Sequence, residues 1–205
     1  MYFYYAPRTC AVASHIALEE AGADYELRRI DFGKTEQRSA EYLKVNPKGR
    51  VPALVTERGI LTETPAILAY IAQSYPEKNL APLNDLFAFA QVQAFNAYMC
   101  ATVHVAHAHK FRGTRWVNAE DTAAIEAMKR KVPVTMAECF ELIENEMLAG
   151  PWVMGATYSI ADIYLFTVST WLEGDEVDIN RFPKVADLHR RMLNNKSVQK
   201  VLALQ

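Results

Sequence analysis

With 205 residues, 24 acidic against 22 basic side chains and a net charge of −2, the chain has room for one domain or two small ones and can bury a core without disulfide or metal staples. It carries no lysine-arginine block of the kind that nucleic acid or an anionic membrane requires, no apolar run approaching a membrane span, and at Met1-Tyr2-Phe3-Tyr4-Tyr5 a stretch too short for a signal peptide core. A soluble, cytoplasmic protein is therefore expected, and Cys10, Cys100 and Cys139, which have no zinc-like spacing and leave one thiol over under any pairing, are expected to be free.

The first 75 residues alternate short strand and helix patterns. Met1 to Tyr5 reads as a strand, Thr9 to Ala21 as a helix, Tyr25 to Ile30 as a strand and Gln37 to Leu43 as a helix. Val51 to Thr56 and Ile60 to Thr62 then form a hairpin around Glu57-Arg58-Gly59, and a helix runs from Thr64 to about Ser74. Residues 76–84, with two prolines and no period, read as a linker. Beyond it the chain is helical: Asp85 to about Phe111, Asn118 to Leu148 with a distortion at Pro133, Ser159 to about Trp171, Pro183 to Leu193, and a short helix near Val198 to Leu202. The expected class is α/β followed by all-α. Tyr158-Ser159-Ile160-Ala161-Asp162-Ile163 combines a serine N-cap, an acid three residues on and flanking apolar side chains, which is a capping box with a hydrophobic staple.

The stretch Asn46-Pro47-Lys48-Gly49-Arg50-Val51-Pro52-Ala53-Leu54 leads a proline straight into a strand. Pro52 cannot donate to a ladder, so it marks a strand start or forced turn, and Val51-Pro52 is a candidate cis peptide. A cis bond there turns the Val51 N–H and C=O outward, where they can pair with another extended peptide. Lys48 and Arg50 read as shaping this turn. Thr64 before Pro65 reads as an N-cap with proline at the first helical position, and that helix start offers N–H donors to a carboxylate while Glu63 offers an anion to an ammonium. Together these residues read as a receptor for a small zwitterionic peptide.

Cys10 follows the turn Ala6-Pro7-Arg8 at the start of the first helix, where the helix dipole and Arg8 favour the thiolate. Thr9 offers a hydroxyl beside it. No Cys-X-X-Cys is present, so redox turnover needs a second thiol from outside the chain. On the later helix, spacings of three and four put Cys100, His104, His107 and Phe111 on one face, with His109 elsewhere. Two histidines without a nearby acid are thin support for a metal, and none is expected. Trp116, Trp152 and Trp171 read as packing residues, Trp116 also as a candidate lining for an apolar pocket.

In this order and spacing, Cys10, the Val51-Pro52 turn, Glu63-Thr64 and the Ser159–Asp162 box resemble the glutathione transferase family, most closely its bacterial, cysteine-containing beta-type members, over nearly the whole chain. The resemblance implies a thioredoxin-like domain at 1–75, a linker at 76–84 and a helical domain at 85–205. It implies a cytoplasmic homodimer that uses glutathione as co-substrate, with no further cofactor, on small electrophiles in detoxification or in thiol-disulfide chemistry. It places Cys10 and His104 in catalysis, with Thr9 and Tyr5 as competing activators, and Lys34, Val51, Pro52, Glu63 and Thr64 on glutathione. Ala11, Ala97, Ala101 and Val105 stand where relatives carry serine, asparagine, a hydroxyl residue and lysine. Two other readings stay open: a non-catalytic association module, and a narrower glutathione-dependent dehalogenase or isomerase.

Overall fold

A computed structural model describes residues 1–204. Strands β1 (Tyr2–Tyr5), β2 (Glu26–Arg29), β3 (Ala53–Thr56) and β4 (Gly59–Thr62) form one sheet in the order β2-β1-β3-β4. β1 runs parallel to β2 and antiparallel to β3, and β3 pairs antiparallel with β4, so Phe3 lies between Leu27 and Leu54. Alternation along β1 buries Phe3 and Tyr5 on one face. Helix α1 (Ala11–Ala21) packs against β1 and against α3 (Thr64–Ser74), and its run of alanines allows close approach. This is the expected thioredoxin-like arrangement.

Three local expectations are corrected. The helix expected from Gln37 to Leu43 is split into a 3-10 turn at Glu36–Arg38 and α2 (Ala40–Val45). Ser39 causes the break: it is extended, with φ −63° and ψ 150°, and its hydroxyl accepts from Tyr42 N as the cap of α2. The ladder of β3 starts at Ala53 and not at Val51, as the missing N–H of Pro52 requires. Thr64 is the first residue of α3 and not its cap, because the carbonyl of Glu63 already accepts from Ile67 N at 3.0 Å.

Contacts divide the chain into two units, Met1–Gln93 joined by the segment from Met192 onward, and Ala94–Arg191. This grouping differs from the expected division 1–75, 76–84 and 85–205. Its boundary lies inside α4 (Leu86–Tyr98), and the last helix, which the sequence assigns to the helical domain, packs on α1. Lys200 Nζ reaches Glu19 Oε2 at 2.7 Å, and Asn195 Nδ2 donates to Glu20 Oε1 at 2.6 Å.

The expected helix Asp85 to Phe111 is α4, a π-helical turn at Met99–Val103 and α5 (His104–Phe111). α6 (Thr122–Leu142) begins later than Asn118, since Asp121 caps it by accepting from Ala124 N, and Pro133 lies inside it without ending it. A second π turn covers Ile143–Met147, followed by α7 (Ile160–Ser169), α8 (Pro183–Leu193) and α9 (Lys196–Leu202). All ten residues of α7 are buried, with Tyr164 and Phe166 in the core. The capping box forms as expected: Ser159 Oγ accepts from Ala161 N, and Asp162 Oδ2 accepts from Ser159 N at 2.7 Å. Asp162 also accepts from Val153 N through Oδ1 at 2.7 Å, tying the preceding turn to the helix.

Candidate active site

The chain leaves β1 through a turn in which Arg8 takes a left-handed φ of 57°. Thr9 closes that turn: its hydroxyl donates to Ala6 O at 2.7 Å and accepts from Ala11 N at 3.3 Å. The one hydroxyl proton of Thr9 is thereby committed to the backbone and not to a neighbouring sulfur. Tyr5 lies in the core, its ring stacked on Phe3 at 6.4 Å and tilted on His15 at 5.6 Å. Cys10 adopts helical angles at the head of α1 and is buried. Its Sγ–H donates to Val51 O at 3.6 Å. The structure thus joins the cysteine to the backbone position singled out for peptide pairing, although the two lie forty-one residues apart.

A carbonyl oxygen beside the sulfur favours the protonated thiol, whereas the helix dipole favours the thiolate. In the first turn, Ala11 N donates to Thr9 Oγ1 and Val12 N to Thr9 O.

Val51 is presented by a turn built around buried Asn46, whose Oδ1 accepts from Lys48 N at 3.2 Å and whose Nδ2 donates to Arg50 O at 2.6 Å. Tyr42 OH donates to the same carbonyl at 2.7 Å. Gly49 is required here: it has φ 60°, and a Cβ would stand 2.8 Å from Gln37 O. The Val51-Pro52 peptide is cis. Val51 is buried and precedes the β3 ladder, which begins at Ala53.

Fifteen residues on, Lys48 Nζ meets Glu63 Oε1 at 2.5 Å and Thr62 Oγ1 at 2.6 Å. Glu63 has φ 71° and ψ 122°, a conformation a non-glycine residue holds at a cost of about 1–3 kcal/mol. The α3 ladder opens at Ile67 N, so the N–H groups of Thr64 and Ala66 lie ahead of it, and Pro65 has none. Thr64 is buried, and no side chain caps the helix. Lys34 is exposed in the 31–35 turn, where Asp31 Oδ1 accepts from Gly33 N and Lys34 N, and its Nζ is 3.9 Å from Asp31 Oδ2.

In the helical unit, His104 and His107 both pack on Trp171, with ring centroids at 5.0 and 4.4 Å. His107 Nδ1–H donates to Asp175 Oδ2 at 2.7 Å, and Asp175 is fully buried. The sequence reading found no acid near these histidines; Asp175 is one, sixty-eight residues away from His107. No group of three or more metal-ligating side chains occurs among the described residues. Trp116 is partly exposed and lies against His109 at 4.2 Å. A serine-histidine contact also occurs here, Ser169 Oγ to His189 Nδ1 at 2.7 Å, but Ser169 gives its proton to Phe166 O, so the histidine donates and does not activate the hydroxyl.

Among the site-building residues, the sequence reading missed the partners of its candidates: Asn46, Tyr42, the Lys48–Glu63 pair and Asp175. Asn46 ahead of Pro-Lys-Gly does carry an Asx-turn signal. The others join residues too far apart for local pattern to register. No helix among the described residues is long and apolar enough to cross a membrane.

Comparison with known proteins gives two family models, the glutathione S-transferase N-terminal domain over residues 1–73 and the glutathione S-transferase C-terminal domain over residues 108–205. The chain is 32% identical to the glutathione S-transferase GstA of Escherichia coli O157:H7, over 100% of its own length and 98% of that protein. It is 28% identical to the disulfide-bond oxidoreductase YfcG of Escherichia coli K12, over 97% and 93%. Among solved structures, a glutathione transferase homolog from Sulfitobacter with bound glutathione superposes with a TM-score of 0.95 at 44% identity, covering 99% of this chain and 97% of that one.

Proposed function

Because the chain belongs to the glutathione S-transferase family and is a glutathione transferase, we propose that its sheet unit holds glutathione along the line from Cys10 to Glu63. The cysteinyl backbone pairs with Val51, which Pro52 keeps out of the β3 ladder. The γ-glutamyl ammonium goes to Glu63, and its carboxylate to Thr64 and the start of α3. Lys34 takes the glycyl carboxylate. The observation that carries this reading is the 3.6 Å contact of Cys10 Sγ with Val51 O, which sets a thiol against the backbone that receives the substrate's cysteine. Thr9 and Tyr5 are the weaker activators, the first committed to its turn and the second to the core.

In conjugation, the thiolate of glutathione attacks an electrophilic carbon, a C–S bond forms, and the leaving group departs with its electron pair. His104 is assigned proton movement during turnover. Retention on immobilised glutathione followed by a panel of electrophiles tests the function. Turnover is expected, and the substitution His104→Ala should lower kcat more than it weakens retention. Retention without any turnover would favour an association module. We propose further that the protein acts as a homodimer on small electrophiles in the cytoplasm, in detoxification, a reading that the family membership supports, and light scattering of the purified protein tests the dimer.

A second mode is favoured by the Cys10 thiol at the head of α1 and by the likeness to a disulfide-bond oxidoreductase. Cys10 thiolate attacks the glutathione sulfur of a mixed-disulfide substrate, a Cys10–glutathione disulfide forms and the substrate thiolate leaves; a second glutathione thiolate then attacks the adduct, releasing Cys10 thiolate and oxidised glutathione. Mass spectrometry after oxidised glutathione should locate the adduct on Cys10. Modification of Cys100 or Cys139 first would remove this mode.

A further inference from the structure

Glu63 is not a bare carboxylate awaiting a ligand. Lys48 Nζ lies 2.5 Å from its Oε1, and the same ammonium is held by Thr62 Oγ1 at 2.6 Å. Lys48 is brought there by the turn that Asn46 and Tyr42 lock onto Arg50 O, one residue before Val51. One lysine therefore links the turn that presents Val51 to the strained residue that starts α3.

We propose that Lys48 is a specificity-determining residue that sets how strongly the site demands an ammonium group on its thiol substrate. The inference rests on the reading of Glu63 as the partner of that ammonium. Lys48 already pairs with Glu63, so an incoming ammonium must share the carboxylate with a resident cation of the same sign. Two effects then act in one direction. The shared carboxylate attracts the ligand's ammonium less than a free one would, and the lysine attracts a deaminated ligand more, because that ligand carries one further net negative charge. Both narrow the gap between amino-bearing and deaminated thiols.

The test is a titration of the full chain at fixed ionic strength with glutathione and with its deaminated analogue, glutaryl-cysteinylglycine. The readout is the ratio of the two Kd values, analogue over glutathione. For the native chain the ratio should exceed one. In Lys48→Met it should rise about three- to fivefold, the size expected for a half-exposed charge pair. Lys48→Arg keeps the charge and should keep the native ratio. Equal weakening of both ligands in Lys48→Met would make Lys48 only a brace for the turn and overturn the proposal, as would a ratio that falls or stays the same. A native ratio of one, unchanged in Glu63→Gln, would instead remove the reading of Glu63 itself, so the two failures are told apart by the native column.

Discussion

Thr64 stands at the head of α3 because Glu63, not Thr64, supplies the carbonyl that opens the ladder. Its hydroxyl caps nothing, so Thr64→Ala should change stability by less than about 1 kcal/mol, since no cap bond is lost and alanine is the better helix former. The effect should fall on glutathione. A hydroxyl bond to a carboxylate is worth about 1.5–3 kcal/mol, and its loss should weaken binding about tenfold or more. Cysteinylglycine lacks the γ-glutamyl carboxylate and should bind the native chain and Thr64→Ala alike, while Thr64→Ser should restore glutathione affinity. Equal weakening of both ligands by Thr64→Ala would sink the assignment. Thr64 is thus probed with cysteinylglycine and Lys48 with the deaminated analogue, each paired with glutathione, so the carboxylate and the ammonium of one ligand head are tested separately.

Element by element, what could be read in advance was what local chemistry dictates. The strand-helix-strand order, the Ser159–Asp162 box and the proline-led strand are carried by residues within a few positions of one another, and they form as expected. The π turns at Met99–Val103 and Ile143–Met147 have no periodic signature that separates them from an α-helix, so the sequence pattern runs both helices straight through them. Contacts between distant residues were also out of reach. Glu144, in the second π turn, reaches forty residues forward and accepts from Lys184 N at 3.0 Å and Val185 N at 3.1 Å. It is a buried carboxylate doing for α8 what Ser159 does for α7, and Pro183 at the helix start has no N–H that needs a partner. Glu144→Ala leaves both donors unsatisfied and should cost about 3 kcal/mol, whereas Glu144→Gln keeps one oxygen in place and should cost distinctly less. Urea unfolding at constant m-value measures both. Equal midpoints for the two variants would mean that the carboxylate is not the cap.

On the scale of the whole molecule, two buried groups oppose each other in acid. His15 is 1% exposed in a cage of Phe3, Tyr5 and Tyr25, and burial pushes its pKa down from 6.5 to about 4. Between those values the unfolded chain binds a proton that the folded chain refuses. The stability His15 contributes is therefore complete above pH 6.5 and is lost as pH falls toward 4, by about 3 kcal/mol. Asp162 does the reverse. Burial raises its pKa from 3.8 to about 6, against the bonds from Val153 and Ser159, so the folded chain keeps a proton that the unfolded chain releases. Its contribution is largest below pH 3.8 and is lost as pH rises to 6, by a similar amount. The two groups belong to different units, and where these unfold in one transition the slopes add. Between about pH 4 and 6 they nearly cancel. His189, whose pKa burial also lowers, adds a loss of stability toward acid. Asp162→Asn removes one of the opposing slopes and should steepen the acid limb by about 1.4 kcal/mol per pH unit over that range. Because the variant also weakens a cap, its absolute stability says little and the slope is the readout. Urea midpoints at half-unit pH steps from 4 to 7 decide it: a limb no steeper than that of the native chain would mean that Asp162 stays ionised through this range and sets none of the acid limb.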